Sequence, residues 1–198
     1  MTRLSTSRRL ALLAASTAVL TGGALAHGSA FAAAQWNKIT DAPSGISVQL
    51  PGKPQVHKTT DNGVNCRDYV ATTGYGAMGF SVFDEPGSDP AKPWDLKGGL
   101  KGAVDGYNSA DPSTALRSTD VHDGTEHGDH YLEAKLVGAH GRTGHIRLVD
   151  HGRQAIMVMN VGTGDQRRTV DRDYRQVLHS IHAPDHGTPQ RGAPAVAT

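Results

Sequence analysis

The alternation of apolar and polar residues predicts where the first strand of the chain lies. Residues 46–50 read Ile-Ser-Val-Gln-Leu, which is the period-two pattern of a strand with one buried face. Pro51 and Gly52 follow and predict a rigid corner, because proline presets φ and glycine accepts a positive φ. Pro54 then keeps the next segment extended. This stretch is predicted to be the first strand of the core sheet, covered by a helix late in the chain.

Further strands follow in two antiparallel runs. The predicted strands span residues 56–60, 64–73, 77–83, 115–121, 131–137, 143–149 and 154–161. Asn62-Gly63 lies between the first two of them and is the turn pair most typical of a tight hairpin. Residues 155–159 are apolar at every position, which predicts a central strand that is covered on both faces.

Two segments have the apolar spacing of helices. Residues 96–107 carry leucine, valine and tyrosine on one face, although four glycines make this helix depend on packing. Residues 170–181 form the clearest amphipathic pattern in the chain. Two strand meanders with one helix between them and one after them predict an α+β fold, an antiparallel sheet of about six to seven strands covered by helices.

The first 32 residues are typical of a secretory signal peptide. Three arginines precede a short apolar run, and no acidic residue occurs before Asp41. Cleavage is predicted before Ala33, with Ala24-Leu25-Ala26 as a second candidate site. The alternative is a membrane anchor, but the run lacks the roughly 20 strongly apolar residues of a spanning helix. A twin-arginine pattern at Arg8-Arg9 leaves the export route open.

Cleavage would leave a single α+β domain at residues 33–183 and a tail at residues 184–198. The tail is rich in proline, glycine and small residues, so it is predicted to be disordered. Three arginines and no acids leave with the signal peptide, so the net charge changes from +1 to −2, with 17 basic against 19 acidic residues. That small net charge argues against a nucleic-acid partner.

The chain has one cysteine, Cys66. It therefore has no internal disulfide, and the core alone must hold the fold. The sequence leaves open whether Cys66 is a small buried residue or a free thiol that cross-links two chains. Since no cysteine lies near the cleavage site, we expect no lipid anchor and no stable membrane attachment after cleavage.

Several features in succession resemble one known fold class. They are Leu50-Pro51-Gly52-Lys53-Pro54, the strand around Tyr69, Phe80-Ser81-Val82, the glycine-rich helix, Gly124-x-x-x-Gly128, and a closing helix that ends at Ser180-Ile181. Over residues 36–183 their order resembles the small exported bacterial domains of the PsbP-like fold class. The resemblance implies an α-β-α sandwich. It also implies action through binding partners, as in the extrinsic photosystem proteins and a Ran-binding import factor.

The densest group of histidines, His122, His127 and His130, is a candidate metal site. Histidine and the neighbouring carboxylates are ligands of zinc and copper, which an exported protein can meet. The alternative is a polar turn that leads into the next strand. Glycines at 124 and 128 argue against a helix there, and on a strand residues three apart point to opposite faces.

Three aromatic residues outside the predicted strands, Trp36, Tyr75 and Trp94, are candidates for a binding surface. The alternative is that they close the ends of the core, since tryptophan is usually largely buried. Nucleophile-elbow and phosphate-loop motifs do not occur in the sequence. The expected function is therefore an exported, non-catalytic binding or accessory module whose partner is a protein or a cell-envelope component. The alternative function is a histidine-rich zinc- or copper-binding protein.

Overall fold

The computed structural model describes residues 35–184, apart from residues 88, 90 and 111. The strands are β1 (Trp36–Thr40), β2 (Ser47–Pro51), β3 (Gln55–Asp61), β4 (Val64–Thr73), β5 (Gly76–Asp84), β6 (Leu116–Glu126), β7 (Asp129–Gly138), β8 (Arg142–His151) and β9 (Gln154–Thr163). The helices are α1 (Leu96–Ala110) and α2 (Arg167–Ser180). The predicted signal peptide and the predicted tail beyond Pro184 lie outside the described residues.

Seven strands form one antiparallel sheet in the order β3-β4-β5-β9-β8-β7-β6. The predicted α+β class is confirmed, and β9 is the central strand, as its apolar sequence indicated. The β3–β4 hairpin turns at Asn62 and Gly63, whose φ angles of 47° and 85° are those of the tight turn that the pair predicted.

The first predicted strand is in a different place from the one expected. β2 pairs antiparallel with β1, in a separate two-stranded sheet, and does not join the seven-stranded sheet. Gly52 has a φ of 67° at the corner after β2, so the chain turns there before β3 enters the large sheet. Residues 36–40, for which the sequence pattern predicted no strand, form β1. β2 thus contributes side chains to the core, and its backbone N–H and C=O groups form hydrogen bonds with β1.

The large sheet has a hydrophobic core on each side. On one side α1 packs against β6, β7 and β8, and Trp94 and Tyr107 are buried there among strand residues. On the other side α2 and β2 cover the sheet together. Val48 of β2 is completely buried in this second core. The domain is therefore a three-layer sandwich in which α2 and the β1–β2 hairpin share one outer layer.

A buried ionic cluster attaches the β1–β2 hairpin to the large sheet. Asp41, in the loop between β1 and β2, is fully buried. It accepts hydrogen bonds from Arg67 Nε at 2.7 Å, from Tyr69 Oη at 2.8 Å and from Ser44 Oγ at 2.6 Å. Arg67 also forms an ion pair with Asp84. Burial, followed by the hydrogen bond to Asp41, raises the pKa of Tyr69 to about 12.

β6 extends further than the predicted strand at 115–121. It runs to Glu126 and contains an irregularity between Thr119 and His122, where Asp120 has a φ of 49°. The turn to β7 is formed by His127 and Gly128 with φ angles of 52° and 89°. Because both angles are positive, this is a tight two-residue hairpin turn. Most of the segment predicted as a polar turn is therefore strand.

Candidate functional site

Beside α2, part of the seven-stranded sheet is not covered by another element. On the side that α2 covers, Tyr131 and Glu133 of β7 are half-buried and Lys135 is exposed. A cavity of about 490 Å³ lies there, next to the C-terminal half of the helix. We call it the α2 groove; residues 126–131, 147–151 and 178–184 supply most of its walls, with Ile156 beneath. Its volume is within the range of small-molecule sites, roughly 300–1,000 Å³.

The bottom of the α2 groove is apolar. Val149 and Ile156 come from two neighbouring strands, and Leu178 and Ile181 come from the end of α2 and the residue after it. Ile156 is buried, and the other three are half-buried. All four belong to, or pack against, the core beneath α2. The groove is therefore a continuation of a packed core and not a loose surface depression.

One wall of the groove is a stack of three residues, Gly124, Tyr131 and Arg147. Gly124 of β6 lies opposite Tyr131 of β7. A Cβ atom at position 124 would lie 2.6 Å from Tyr131 Oη, so only a glycine there leaves space for the tyrosine side chain. The guanidinium carbon of Arg147 lies 3.8 Å from the centre of that ring. Arg147 also forms an ion pair with Glu126, and its Nη1 lies 3.6 Å from Glu133 Oε2. The positive charge of Arg147 is thus fixed and largely compensated.

A second wall depends on His151, which is buried. Its Nδ1 lies 2.7 Å from Asp129 Oδ2, and its Nε2 lies 3.0 Å from the carbonyl oxygen of Pro184. A carboxylate and a carbonyl only accept hydrogen bonds, so both ring nitrogens of His151 face acceptors. His151 thereby connects the β6–β7 turn to the segment after α2.

The same segment is also held by the β1–β2 hairpin. Ser47 and His182 exchange two backbone hydrogen bonds of 2.9 and 2.8 Å. The side chain of Ser180 accepts a further hydrogen bond from the backbone N–H of Gln49 at 2.9 Å. Pro184 lies against Gly45, where a Cβ atom would approach its Cγ to 3.1 Å. β2 therefore holds in place the segment after α2 that forms this wall of the groove.

Three exposed histidines lie at the rim of the groove. His127 comes from the β6–β7 turn, His179 from α2 and His182 from the segment after it. Within residues 35–184 as described, none of the three imidazoles has a hydrogen bond or an ion pair with another side chain. They are therefore available to a ligand.

A smaller cavity of about 290 Å³ lies near the N-terminal end of α2. Lys135, Arg142 and Arg167 contribute its positive charges, and Asp171 contributes a negative one. Asp171 Oδ1 accepts a hydrogen bond from His145 Nε2 at 2.8 Å. Lys135 is already paired with Asp120 at 2.8 Å. Its three basic side chains make this cavity a candidate anion site, an alternative to the α2 groove.

The predicted metal ligands are not brought together. His122 is paired with Glu133, on the sheet face that carries Tyr131, whereas His130 is on the opposite face with its Nε2 3.0 Å from Asp123 Oδ1. His127 lies in the turn beyond them. Among the described residues, no group of three His, Cys, Asp or Glu side chains is arranged to hold a metal ion. The metal-binding alternative has no support in this arrangement.

Two of the three predicted surface aromatics are interior residues. Tyr75 and Trp94 are each only 4% exposed, so neither ring is open to a partner. Trp94 Nε1 donates to the carbonyl oxygen of Gly152 at 2.9 Å, and burial, with the nearby Asp173, raises the pKa of Tyr75. Trp36 is half-buried and packs on the core beneath α2. The interpretation that these rings close the core describes Tyr75 and Trp94 correctly.

The groove residues were not among the predicted site residues, except for His127. Tyr131, Arg147 and His151 are distant in sequence from the end of α2. The hydrogen-bonded register of β7 with β8 brings Tyr131 close to Arg147 and His151. The sequence does contain one signal, the closely spaced His179 and His182 at the end of an amphipathic helix. That signal is weak, because cations are favourable near any helix C-terminus.

Comparisons with known proteins show which known fold the chain resembles. No protein-family model matches the sequence, and no curated protein matches it. The solution structure of cyanobacterial PsbP (CyanoP) from Synechocystis sp. PCC 6803 is similar with a TM-score of 0.55 and 13% sequence identity, over 82% of this chain and 100% of that chain. No helix of the described residues has the length and apolar character needed to cross a membrane.

Two other solved structures are similar at lower scores. One is a Pseudomonas aeruginosa protein of unknown function, with a TM-score of 0.38 and 9% identity over 76% of this chain and 99% of that chain. The other is LpqN, described as involved in cell envelope biogenesis of Mycobacterium tuberculosis, with a TM-score of 0.35 and 14% identity over 76% of this chain and 91% of that chain. The element order, the three-layer sandwich and the similarity to CyanoP together show that the described domain has the PsbP-like fold.

Proposed function

We propose that the chain is an exported, non-catalytic binding module whose ligand occupies the α2 groove. The observation that carries this proposal is the groove itself, a preformed concavity with an apolar bottom and a polar rim. Export is supported by the leader at residues 1–32, and the occupant we propose is a component of the cell envelope.

Binding without catalysis is supported by how the charged groups of the groove are used. Arg147 is paired with Glu126 and lies near Glu133, and His151 is held between Asp129 and Pro184. Groups that are paired in this way hold the walls in position. The exposed histidines at the rim are the side chains that remain available for contact with a ligand.

The proposal is tested by filling the groove. Val149→Trp places a large side chain in the groove, and the matched control Val56→Trp alters a half-exposed valine on β3, far from it. Saturation-transfer NMR with a set of small apolar acids, amines and alcohols should detect binders of the native protein. We expect Val149→Trp to lose these binders and Val56→Trp to keep them, with thermal unfolding verifying that both variants fold. Binders that persist in a folded Val149→Trp protein would contradict the proposal.

Export is tested separately. Mass spectrometry of the protein recovered from the culture medium should give a mature N-terminus at Ala33, the predicted cleavage site. A protein that keeps residues 1–32 and remains in the cell would refute the export part of the proposal without affecting the ligand site.

A further inference from the structure

We propose that the α2 groove takes a small amphiphile that has an apolar chain and an anionic head, and that it binds this ligand more tightly at mildly acidic pH. This inference rests on the proposed function, because it names the chemical class of the ligand for the same groove.

The apolar part of the ligand follows from the bottom of the groove. Val149, Ile156, Leu178 and Ile181 offer only aliphatic carbon there. An aliphatic chain would cover the half-buried side chains among them, and removal of apolar surface from water is favourable. A wholly polar ligand would leave this surface without a matching partner.

The charge of the head follows from the groups around the groove. The titratable and charged groups that line it are Glu126, His127, Asp129, Tyr131, Arg147, His151, His179 and His182, with Glu133 next to Arg147. Glu126 is paired with Arg147, and Asp129 with His151. Both carboxylates thus have a basic partner, whereas the rim histidines have no side-chain partner among the described residues, so the unpaired side chains of the rim favour an anionic head.

The expected pH dependence comes from the same rim. His127, His179 and His182 come from three different elements and have no side-chain partner among the described residues. Imidazole is the side chain whose charge usually changes between pH 5 and 8. Lowering the pH therefore adds positive charge at the rim while the paired carboxylates remain compensated. The affinity for an anionic head should rise accordingly.

Two probes with the same chain and opposite permanent charges test the inference. Decyl sulfate and decyltrimethylammonium can be titrated into the mature protein by calorimetry at pH 5.5 and pH 8.0, below their micelle concentrations. We expect decyl sulfate to bind roughly tenfold more tightly at pH 5.5 than at pH 8.0, as the sum of several exposed charge contacts. We expect decyltrimethylammonium to bind more weakly than decyl sulfate at pH 5.5.

A histidine variant tests the source of the pH dependence. The triple variant His127→Asn, His179→Gln and His182→Gln removes the titrating rim, and asparagine is chosen at 127 because it tolerates the φ of 52° there. The control is His122→Gln, an exposed histidine of β6 outside the groove. The triple variant should lose the tenfold pH effect, and the control should keep it. If the triple variant fails to fold, the single variant His179→Gln, which should lose part of the effect, replaces it.

The outcomes separate the two proposals. If both probes bind the groove equally well, or if decyl sulfate binds with the same affinity at both pH values, the anionic-head inference is wrong and the binding function stands. If the pH effect survives in the folded triple variant, the rim histidines are not its source and the inference is again wrong. If neither probe binds and Val149→Trp removes no binder from the NMR set, the proposed function fails as well.

Discussion

Replacing Asp41 by alanine should destabilise the domain by about 3 kcal/mol. Asp41 is fully buried and accepts hydrogen bonds from Arg67, Tyr69 and Ser44. Removing one partner of a buried ion pair typically costs about 3–5 kcal/mol, because the other charge is left uncompensated. Arg67 keeps its second partner, Asp84, which puts the expected cost at the lower end of that range.

Urea denaturation followed by tryptophan fluorescence measures this cost. The matched control is Asp105→Ala, which removes the exposed ion pair between Lys101 and Asp105 on α1. The control should change the free energy of unfolding by no more than about 0.5 kcal/mol. A cost below about 1 kcal/mol for Asp41→Ala would refute the view that this cluster holds the β1–β2 hairpin on the sheet.

The pH dependence of the stability of the native protein and of Asp41→Ala gives an independent check. Burial raises the pKa of Asp41, but the hydrogen bonds from Arg67, Ser44 and Tyr69 outweigh it and hold the pKa below its ordinary value of 3.8. The stabilisation by the ionised carboxylate is therefore fully present above pH 3.8 and is lost as the pH falls through the lower, folded-state pKa. The stability difference between native protein and Asp41→Ala should shrink only in that acidic range. A difference that shrinks already between pH 7 and pH 5 would contradict the assigned sign.

Three further predictions concern the core and the sheet. Val48→Asp should unfold the domain, because it buries an unpaired charge at a fully buried position. Its control, Lys53→Ala at an exposed position, should change the free energy of unfolding by less than about 0.5 kcal/mol. Circular dichroism distinguishes the folded variant from the unfolded one. Gly144→Ala places a Cβ atom 2.0 Å from the carbonyl oxygen of Asn160 and should destabilise the domain by about 1–3 kcal/mol in a urea titration, and an unchanged midpoint would contradict this. The thiol of Cys66, only 5% exposed, should react with Ellman's reagent only as fast as the protein opens, and an immediate reaction would show that it is accessible.

Most of the fold could be predicted from local patterns. The Asn62-Gly63 turn, the apolar run of β9 and the amphipathic α2 are each determined by a few neighbouring residues. The sheet in which β2 lies could not be predicted in the same way. A half-buried strand shows the same alternation whether it pairs within the large sheet or lies across it. Only tertiary contacts, such as that of Asp41 with Arg67, decide between these arrangements.

The candidate site was much less predictable. The predicted metal ligands were close in sequence, but the β6–β7 register places His122 and His130 on opposite faces of the sheet. Arg147 and His151 gain their roles from residues on other elements, Glu126 and Pro184 among them. No local pattern encodes such pairings. The burial of Trp94 was unpredictable for the same reason, since its N–H groups donate to Asp150 and Gly152, more than fifty residues further along the chain.

The most direct test of the central claim is to locate a bound ligand by amide NMR. In a titration with decyl sulfate at pH 5.5, the largest chemical-shift changes should fall on Val149, Leu178, Ile181 and His182, the residues around the α2 groove. Changes centred on Arg142 and Arg167, at the smaller cavity, or spread evenly over the domain, would contradict the claim that the α2 groove is the ligand site.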